Sequence, residues 1–196
     1  MGKKWGYVTP GIPDGWFVSG GVPMTKEEVR CLTLCKIRLK RDSVVYDIGS
    51  GTGSIAVEAA LLAGEGIVYA VEKNGRAAEL IAGNARRFGV NNLRVVPGEA
   101  PAALAGLPLA DRIVVGGSAG RLKEIFSAAA EKLKEGGRLA VNAVTVETLA
   151  VSVETLAELG FGELQTLSLT VAKTAQAGRA RVWKGMNPVF LIVGER

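Results

Sequence analysis

Residues 45–53 read Val45-Tyr46-Asp47-Ile48-Gly49-Ser50-Gly51-Thr52-Gly53, an apolar strand running into glycines at every second position. A helical pattern opens immediately afterwards, at Ser54. Glycines so placed suit backbone that passes within contact distance of a ligand at the carboxyl end of a strand. The spacing excludes two common loops. A dinucleotide fingerprint of the G-x-G-x-x-G type requires glycine at position 54, where Ser54 stands. A P-loop requires Gly-Lys followed by Ser or Thr, and this segment holds no lysine. G-x-G-x-G remains, either a ligand-holding loop or a tight strand-to-helix turn with no ligand.

The chain around this loop alternates strand and helix. Strands are expected at 44–48, 67–71, 93–96, 112–115 and 138–143. Helices are expected at 54–63, closed by Gly64, and at 75–88, started by Asn74 and stopped by Gly89. Further helices are expected at 121–134, before a Gly136-Gly137 turn, and at 147–159, before Gly160, with a short helical stretch at 100–105. The strands are continuous apolar runs, as when helices cover both faces of a sheet. The expected fold is therefore α/β, a doubly wound, Rossmann-like parallel sheet. The last segments break the rhythm: strands 164–172 and 188–193 are separated by fifteen residues without a helical pattern. Lacking a crossover helix, they are expected to pair antiparallel across a long loop.

Residues 1–24 are rich in Gly, Pro and large rings, including Trp5, Tyr7, Trp16 and Phe17, and read as an irregular arm packed on the domain rather than a linker. Thr25-Lys26-Glu27-Glu28 reads as a capping box, with Thr25 capping a helix whose apolar face is Val29, Leu32, Cys35 and Ile37. The remainder, 25–196, is expected to be one domain, in keeping with 196 residues in all.

Composition removes several chemistries. There is no histidine, which excludes Ser-His-Asp and Cys-His catalysis and leaves any proton transfer to a carboxylate, Lys, Tyr, Ser, the substrate or water, with no one residue singled out as acid or base. The two cysteines, Cys31 and Cys35, are too few for a four-ligand zinc site or a disulfide scaffold, and are read as a buried pair of thiols. No metal site is expected. The net charge of +5 suits an anionic partner, though no run of five cations occurs. Neither a signal-like leader nor an apolar run of the ~20 residues a membrane helix needs is present, so a soluble cytoplasmic protein is expected.

Candidate site residues lie at the carboxyl ends of the strands. Glu72, nineteen residues after Gly53, is placed to accept hydrogen bonds from two ribose hydroxyls. Glu99-Ala100 follows the third strand, placed either to meet an adenine through a carboxylate or backbone amide or simply to form part of the loop after Pro97-Gly98. Gly117 and Ser118 follow the fourth strand, where small residues leave room for a planar substrate. Asn142 ends the fifth, its amide placed either to orient a substrate or to satisfy backbone. Lys173, Arg179, Arg181 and Lys184 flank the late loop as receivers of carboxylate or phosphate, or as a solvated basic surface.

The glycine loop is similar to that of S-adenosylmethionine-dependent methyltransferases. Over residues 12–194 the chain resembles one family of these, the decarboxylating cobalt-precorrin-6B C15-methyltransferases of cobalamin biosynthesis. The resemblance rests on Ile12-Pro13-Asp14 with Phe17, on Pro23-Met24-Thr25-Lys26-Glu27-Glu28-Val29-Arg30 and on Asp47 to Gly53. It continues through Gly98-Glu99-Ala100-Pro101, Val115-Gly116-Gly117-Ser118, residues 136–143 and Asn187-Pro188-Val189. It implies a class I methyltransferase sheet of seven strands with an antiparallel last pair. It also implies that Thr25, Gly49, Ser50, Gly51, Thr52, Gly53, Glu72, Glu99 and Ala100 hold S-adenosylmethionine. Gly117, Ser118 and Asn142 then face an anionic tetrapyrrole, methylated at C15 with loss of the ring C acetate carboxylate. A homotetramer is implied as well. From the residues themselves, no bound metal, no nucleic-acid partner and no membrane association are expected. Two positions depart from the family: Glu99 stands where Asp is commoner, and Ala119 where glycine is usual. The competing readings are a methyltransferase of RNA or protein carboxylates, and a non-catalytic nucleoside-binding module.

Overall fold

The computed structural model describes residues 4–196; Met1, Gly2 and Lys3 of the expected arm lie outside the described residues. Helix α1 (Glu27–Lys36) leads into β1 (Val44–Ile48), α2 (Ser54–Leu62), β2 (Ile67–Glu72), α3 (Gly75–Phe88) and β3 (Leu93–Pro97). Then follow β4 (Ala110–Val115), α4 (Leu122–Lys132), β5 (Leu133–Ala143) and α5 (Val146–Glu158), and finally β6 (Gly162–Leu169), β7 (Ala172–Ala177), β8 (Ala180–Gly185) and β9 (Val189–Glu195). Seven strands form one sheet in the order β3-β2-β1-β4-β5-β9-β6. The first five run parallel, and β9 inserts antiparallel between β5 and β6.

Alternation along the strands divides the core. Val45, Val68, Ala70, Val114 and Ala140 face α1, α2 and α3, together with Ile12 and Phe17 of the arm. Tyr46, Ile48, Val71, Ile113, Val115 and Val141 face α4 and α5. The chain leaves β1 toward β2 and β3, then returns to continue through β4 and β5. That reversal opens a crevice beyond the carboxyl ends of β1 and β4, where open α/β sheets bind their ligands. The caps at Asn74, whose side chain accepts from Ala77 N, and at Gly89, with φ of +69°, stand as expected.

Five expectations are corrected. The Thr25 capping box does not form: α1 is capped at Lys26 with no side-chain bond, and the Thr25 carbonyl instead accepts from Arg30. The buried face of α1 is Val29, Arg30, Thr33 and Leu34, because a buried guanidinium takes a position that an apolar count passes over. Cys31 is consequently half-buried and Cys35 exposed, so they are no buried pair. Gly136-Gly137 is no turn ending a helix; β5 already begins at Leu133, and the register jumps from Ala110↔Leu133 to Arg112↔Arg138. The extra residues form a bulge with Gly136 at φ +68°, tied at both ends to Arg196. The fifteen-residue loop is a hairpin, β7 paired with β8, outside the main sheet. Nearly every residue in it is exposed, so no apolar alternation marks its strands in the sequence.

The arm is held by a buried charge cluster. Arg30, fully buried, donates from Nε to Glu58 Oε1 at 2.5 Å and from Nη1 to Asp14 Oδ1 at 3.1 Å. It also donates to the carbonyls of Ile12 and Thr25, and its guanidinium lies 4.9 Å over the Phe17 ring. Glu58 on α2 accepts in addition from the backbone N–H groups of Gly11 and Ile12. Besides joining α1 to α2, the cluster thus supplies partners to the backbone of Gly11 and Ile12, in an irregular stretch that has no ladder of its own.

Candidate active site

The loops after β1 to β5 converge with arm residues 21–26 on one cavity of about 840 Å³. Its floor is the glycine loop. Gly49, Gly51 and Gly53 take φ of +70°, +58° and +78°, the left-handed region that favours glycine. A Cβ at Gly49 would stand 2.6 Å from the Gly117 backbone, one at Gly51 3.0 Å from Pro23 O, and one at Gly53 3.0 Å from Ile81 Cγ2. The close approaches that demand glycine are therefore made by the turn after β4, the arm and α3. The loop is packed from below and behind, and this leaves its upper surface to the cavity.

Asp47, next to last in β1, lies beneath the loop and is buried, accepting from Ser50 Oγ at 2.6 Å and from Ala56 N at 3.1 Å. Burial pushes its pKa up to about 6, and the neighbouring Glu72 charge pushes the same way. Glu72 ends β2. Its Oε2 accepts from Gly51 N at 2.9 Å and its Oε1 from Asn74 N at 2.9 Å. Two backbone donors thus fix the carboxylate plane, and each oxygen retains a lone pair for a hydroxyl.

The other sequence-predicted residues divide. Thr25, Gly49, Ser50, Gly51, Glu72, Glu99, Ala100, Gly117, Ser118 and Asn142 all line the cavity. Thr52 and Gly53 do not: Thr52 is buried in the loop with its hydroxyl unpartnered, and Gly53 precedes α2. Glu99 is exposed and bonded to Lys73 Nζ at 2.9 Å, which lowers its pKa. Ala119 sits at φ +48°, a conformation that glycine adopts at less cost. Asn142 Oδ1 accepts from Thr33 Oγ1 at 3.0 Å, while its Nδ2 is buried without a partner.

The late basic residues do not reach the cavity. Lys173 pairs with Glu28 at 2.6 Å, and Arg179, Arg181 and Lys184 lie on or beside the exposed hairpin. The cations at the cavity are Lys26 and Lys73. Sequence reasoning passed over both, as it did Asp47 and the apolar wall of Val22, Met24, Leu169, Val171 and Val189. Pro23-Met24-Thr25-Lys26 and Asn187-Pro188-Val189 were the available signals. Among the described residues, no group of three or more His, Cys, Asp or Glu is arranged to hold a metal ion.

The comparisons agree with this geometry. A family model described as a precorrin methyltransferase domain matches residues 15–196. A Pyrobaculum calidifontis protein named "Probable cobalt-precorrin-6B C(15)-methyltransferase (decarboxylating)" is 47% identical over 96% of this chain and 97% of its own. The Salmonella typhimurium cobalt-precorrin-6B C(15)-methyltransferase (decarboxylating) is 38% identical over 94% of this chain and 96% of its own. The crystal structure of precorrin-6y C5,15-methyltransferase from Geobacter metallireducens superimposes with a TM-score of 0.91 at 37% identity, covering 97% of this chain and 100% of that one. With a switch-point cavity floored by a glycine loop and a family match along most of its length, the chain belongs to the precorrin methyltransferase family.

Proposed function

We propose that this chain methylates C15 of a cobalt-precorrin-6B-type macrocycle from S-adenosylmethionine and removes the carboxylate of the ring C acetate. The observation that carries the donor half is the Glu72 carboxylate, held by Gly51 N and Asn74 N at the rim of a glycine-floored cavity. When bound there, S-adenosylmethionine supplies a methyl group already activated on a positively charged sulfur. Glu72 would accept from the ribose hydroxyls, Gly49 to Gly51 would pass beneath the donor, and Ala100 would border the adenine. Glu99, tied to Lys73, stands at the outer edge of the same pocket.

The acceptor half lies toward β5, β9 and β6, where the wall is mostly apolar. A wall of that kind excludes water from the reacting carbon, and holding donor and acceptor in line is the main task of an enzyme whose methyl donor arrives activated. In decarboxylation the bond to the acetate carboxyl breaks, carbon dioxide leaves and the electron pair enters the conjugated macrocycle. A proton from solvent completes the new methyl group. The electron sink is the substrate's own, so a chain without histidine suffices. Lys26 and Lys73 at the mouth suit the remaining carboxylates.

We assign residues 25–196 to the methyltransferase domain, with the arm as its cover. The chain functions as a homotetramer in the cytoplasm. The bare hairpin supports the assembly: an isolated two-stranded ribbon is marginal in water, and Trp183 on it is 75% exposed. No helix among the described residues is long and apolar enough to cross a membrane.

The deciding experiment titrates the protein with S-adenosylhomocysteine by calorimetry, then assays methyl transfer and carbon dioxide release on cobalt-precorrin-6B. Micromolar binding followed by both products is the expected result. Binding without turnover on any precorrin points instead to a nucleoside-binding module.

A further inference from the structure

Along the strand order, β5, β9 and β6 lie on one side of the glycine loop. The cavity wall there is apolar, built from residues such as Val29, Leu169, Val171 and Val189. Asn142, at the carboxyl end of β5, is the polar side chain in this part of the lining that has a buried hydrogen-bonding atom to spare. Its Nδ2 has no partner, although leaving a buried amide unpaired is costly. Its Oδ1 is taken by Thr33, a fully buried hydroxyl one helical turn beyond Val29 on α1. Thr33 Oγ1 also lies 2.8 Å from Val29 O. One hydroxyl proton therefore serves two acceptors, and the hold on Asn142 is shared with Val29 O.

We infer that Asn142 donates from Nδ2 to an oxygen or ring nitrogen of the macrocycle, and that Thr33 is the positioning residue that sets the plane of this amide. The inference rests on the reading of function given above and deepens it. An acceptor atom at Nδ2 polarises the amide, which strengthens the pull of Oδ1 on the Thr33 proton. Substrate binding thereby draws the hydroxyl from Val29 toward Asn142. The donor half of the cavity takes no part, since the hydrogen bonds described for Thr33 and Asn142 include none to the glycine loop or Glu72.

The test compares Thr33→Val, Thr33→Ser, Asn142→Ala, Asn142→Asp and the double variant Thr33→Val/Asn142→Ala. Three readouts are taken: S-adenosylhomocysteine affinity, melting temperature, and kcat and KM for cobalt-precorrin-6B. Thr33→Val is expected to lower kcat/KM about tenfold, mainly through KM, with S-adenosylhomocysteine affinity within twofold of wild type. Thr33→Ser keeps the hydroxyl and is expected within threefold of wild type. Asn142→Ala is expected to lose at least as much as Thr33→Val, and the double variant no more than Asn142→Ala alone. Asn142→Asp keeps the acceptor for Thr33 but presents an anion in place of the donor, so it loses more than Asn142→Ala.

Losses that multiply in the double variant, or an Asn142→Asp variant as active as wild type, overturn the inference. So does a fall in turnover matched by an equal fall in S-adenosylhomocysteine affinity. If Thr33→Val fails to fold, the Asn142 pair of variants still decides the donor role. An active wild type with indifferent variants overturns this inference alone, whereas a wild type inert on precorrin overturns the functional reading with it.

Discussion

Two segments flank the same cavity and are built in opposite ways. The arm is irregular, yet Ile12 and Phe17 are in the core and the buried Arg30 joins Asp14, Glu58 and the carbonyls of Ile12 and Thr25. The β7–β8 hairpin is regular, with six residue pairs in register from Ala172↔Gly185 to Ala177↔Ala180, yet almost wholly exposed. Its described tie to the body includes one surface ion pair, Lys173 with Glu28. Regularity of backbone and depth of anchoring are thus separate properties. A ribbon meets its own backbone hydrogen bonds wherever it lies, while an irregular stretch must borrow donors and acceptors from the body.

The strongest way to break the contrast is at Arg30. Arg30→Met leaves Glu58 buried with its charge uncompensated, and a loss of about 3–5 kcal/mol in urea unfolding is expected. Adding Glu58→Gln should recover part of that loss. An Arg30→Met variant as stable as wild type would show that the arm is not held by this cluster.

Asp47 gives the next effect, with the opposite sign. Its folded pKa of about 6 lies above its ordinary value of 3.8. Between those values the native state binds more protons than the unfolded chain, so stability falls as pH rises through this window. The ionised carboxylate is thus a cost at neutral pH, of up to ~3 kcal/mol for a shift near two units. Asp47→Asn is expected to melt no lower than wild type at pH 7.5 and to lose that advantage at pH 4. A variant less stable than wild type at pH 7.5 by more than at pH 4 contradicts this.

Glu72 follows. Glu72→Ala removes the two acceptors that hold Gly51 N and Asn74 N, and S-adenosylhomocysteine should bind at least tenfold more weakly, about 1.4 kcal/mol. Calorimetry showing unchanged affinity removes Glu72 from the donor site. The hairpin should give the smallest changes. Lys173→Ala costs about 0.2–1 kcal/mol, since its partner pair is partly exposed, and Lys184→Ala less than about 0.5 kcal/mol. A loss at either position as large as that of Arg30→Met would erase the distinction between the two segments.

Much of the site was readable because it follows strand ends. Glu72, Glu99, Gly117 and Asn142 each terminate or follow a strand whose apolar run is plain in the sequence, and parallel winding brings those ends to one edge. What escaped was Asp47, counted as part of a glycine motif although its burial shifts its titration. Lys26 and the β6–β9 side of the wall escaped too, because their nearness to the glycine loop depends on how α1 and the antiparallel pair pack. The Thr25 capping box failed for a related reason: the Glu28 carboxylate it needs is taken by Lys173, remote in the chain.

By itself the sequence determined the order of strands and helices, the parallel sheet, the glycine loop and the absence of histidine chemistry. These follow from periodicity, from caps and from the residue types present, all of which are local. Only the tertiary structure decided that the three loop glycines make room for Gly117, Pro23 and Ile81, that the Gly136-Gly137 pair is a bulge inside β5, and that the late loop is a hairpin. It alone brought Thr33 to Asn142 and Arg30 to Glu58, partners 109 and 28 residues apart in the chain. Such pairings are set by packing across layers, and a side chain's local sequence carries no record of the layer it will meet.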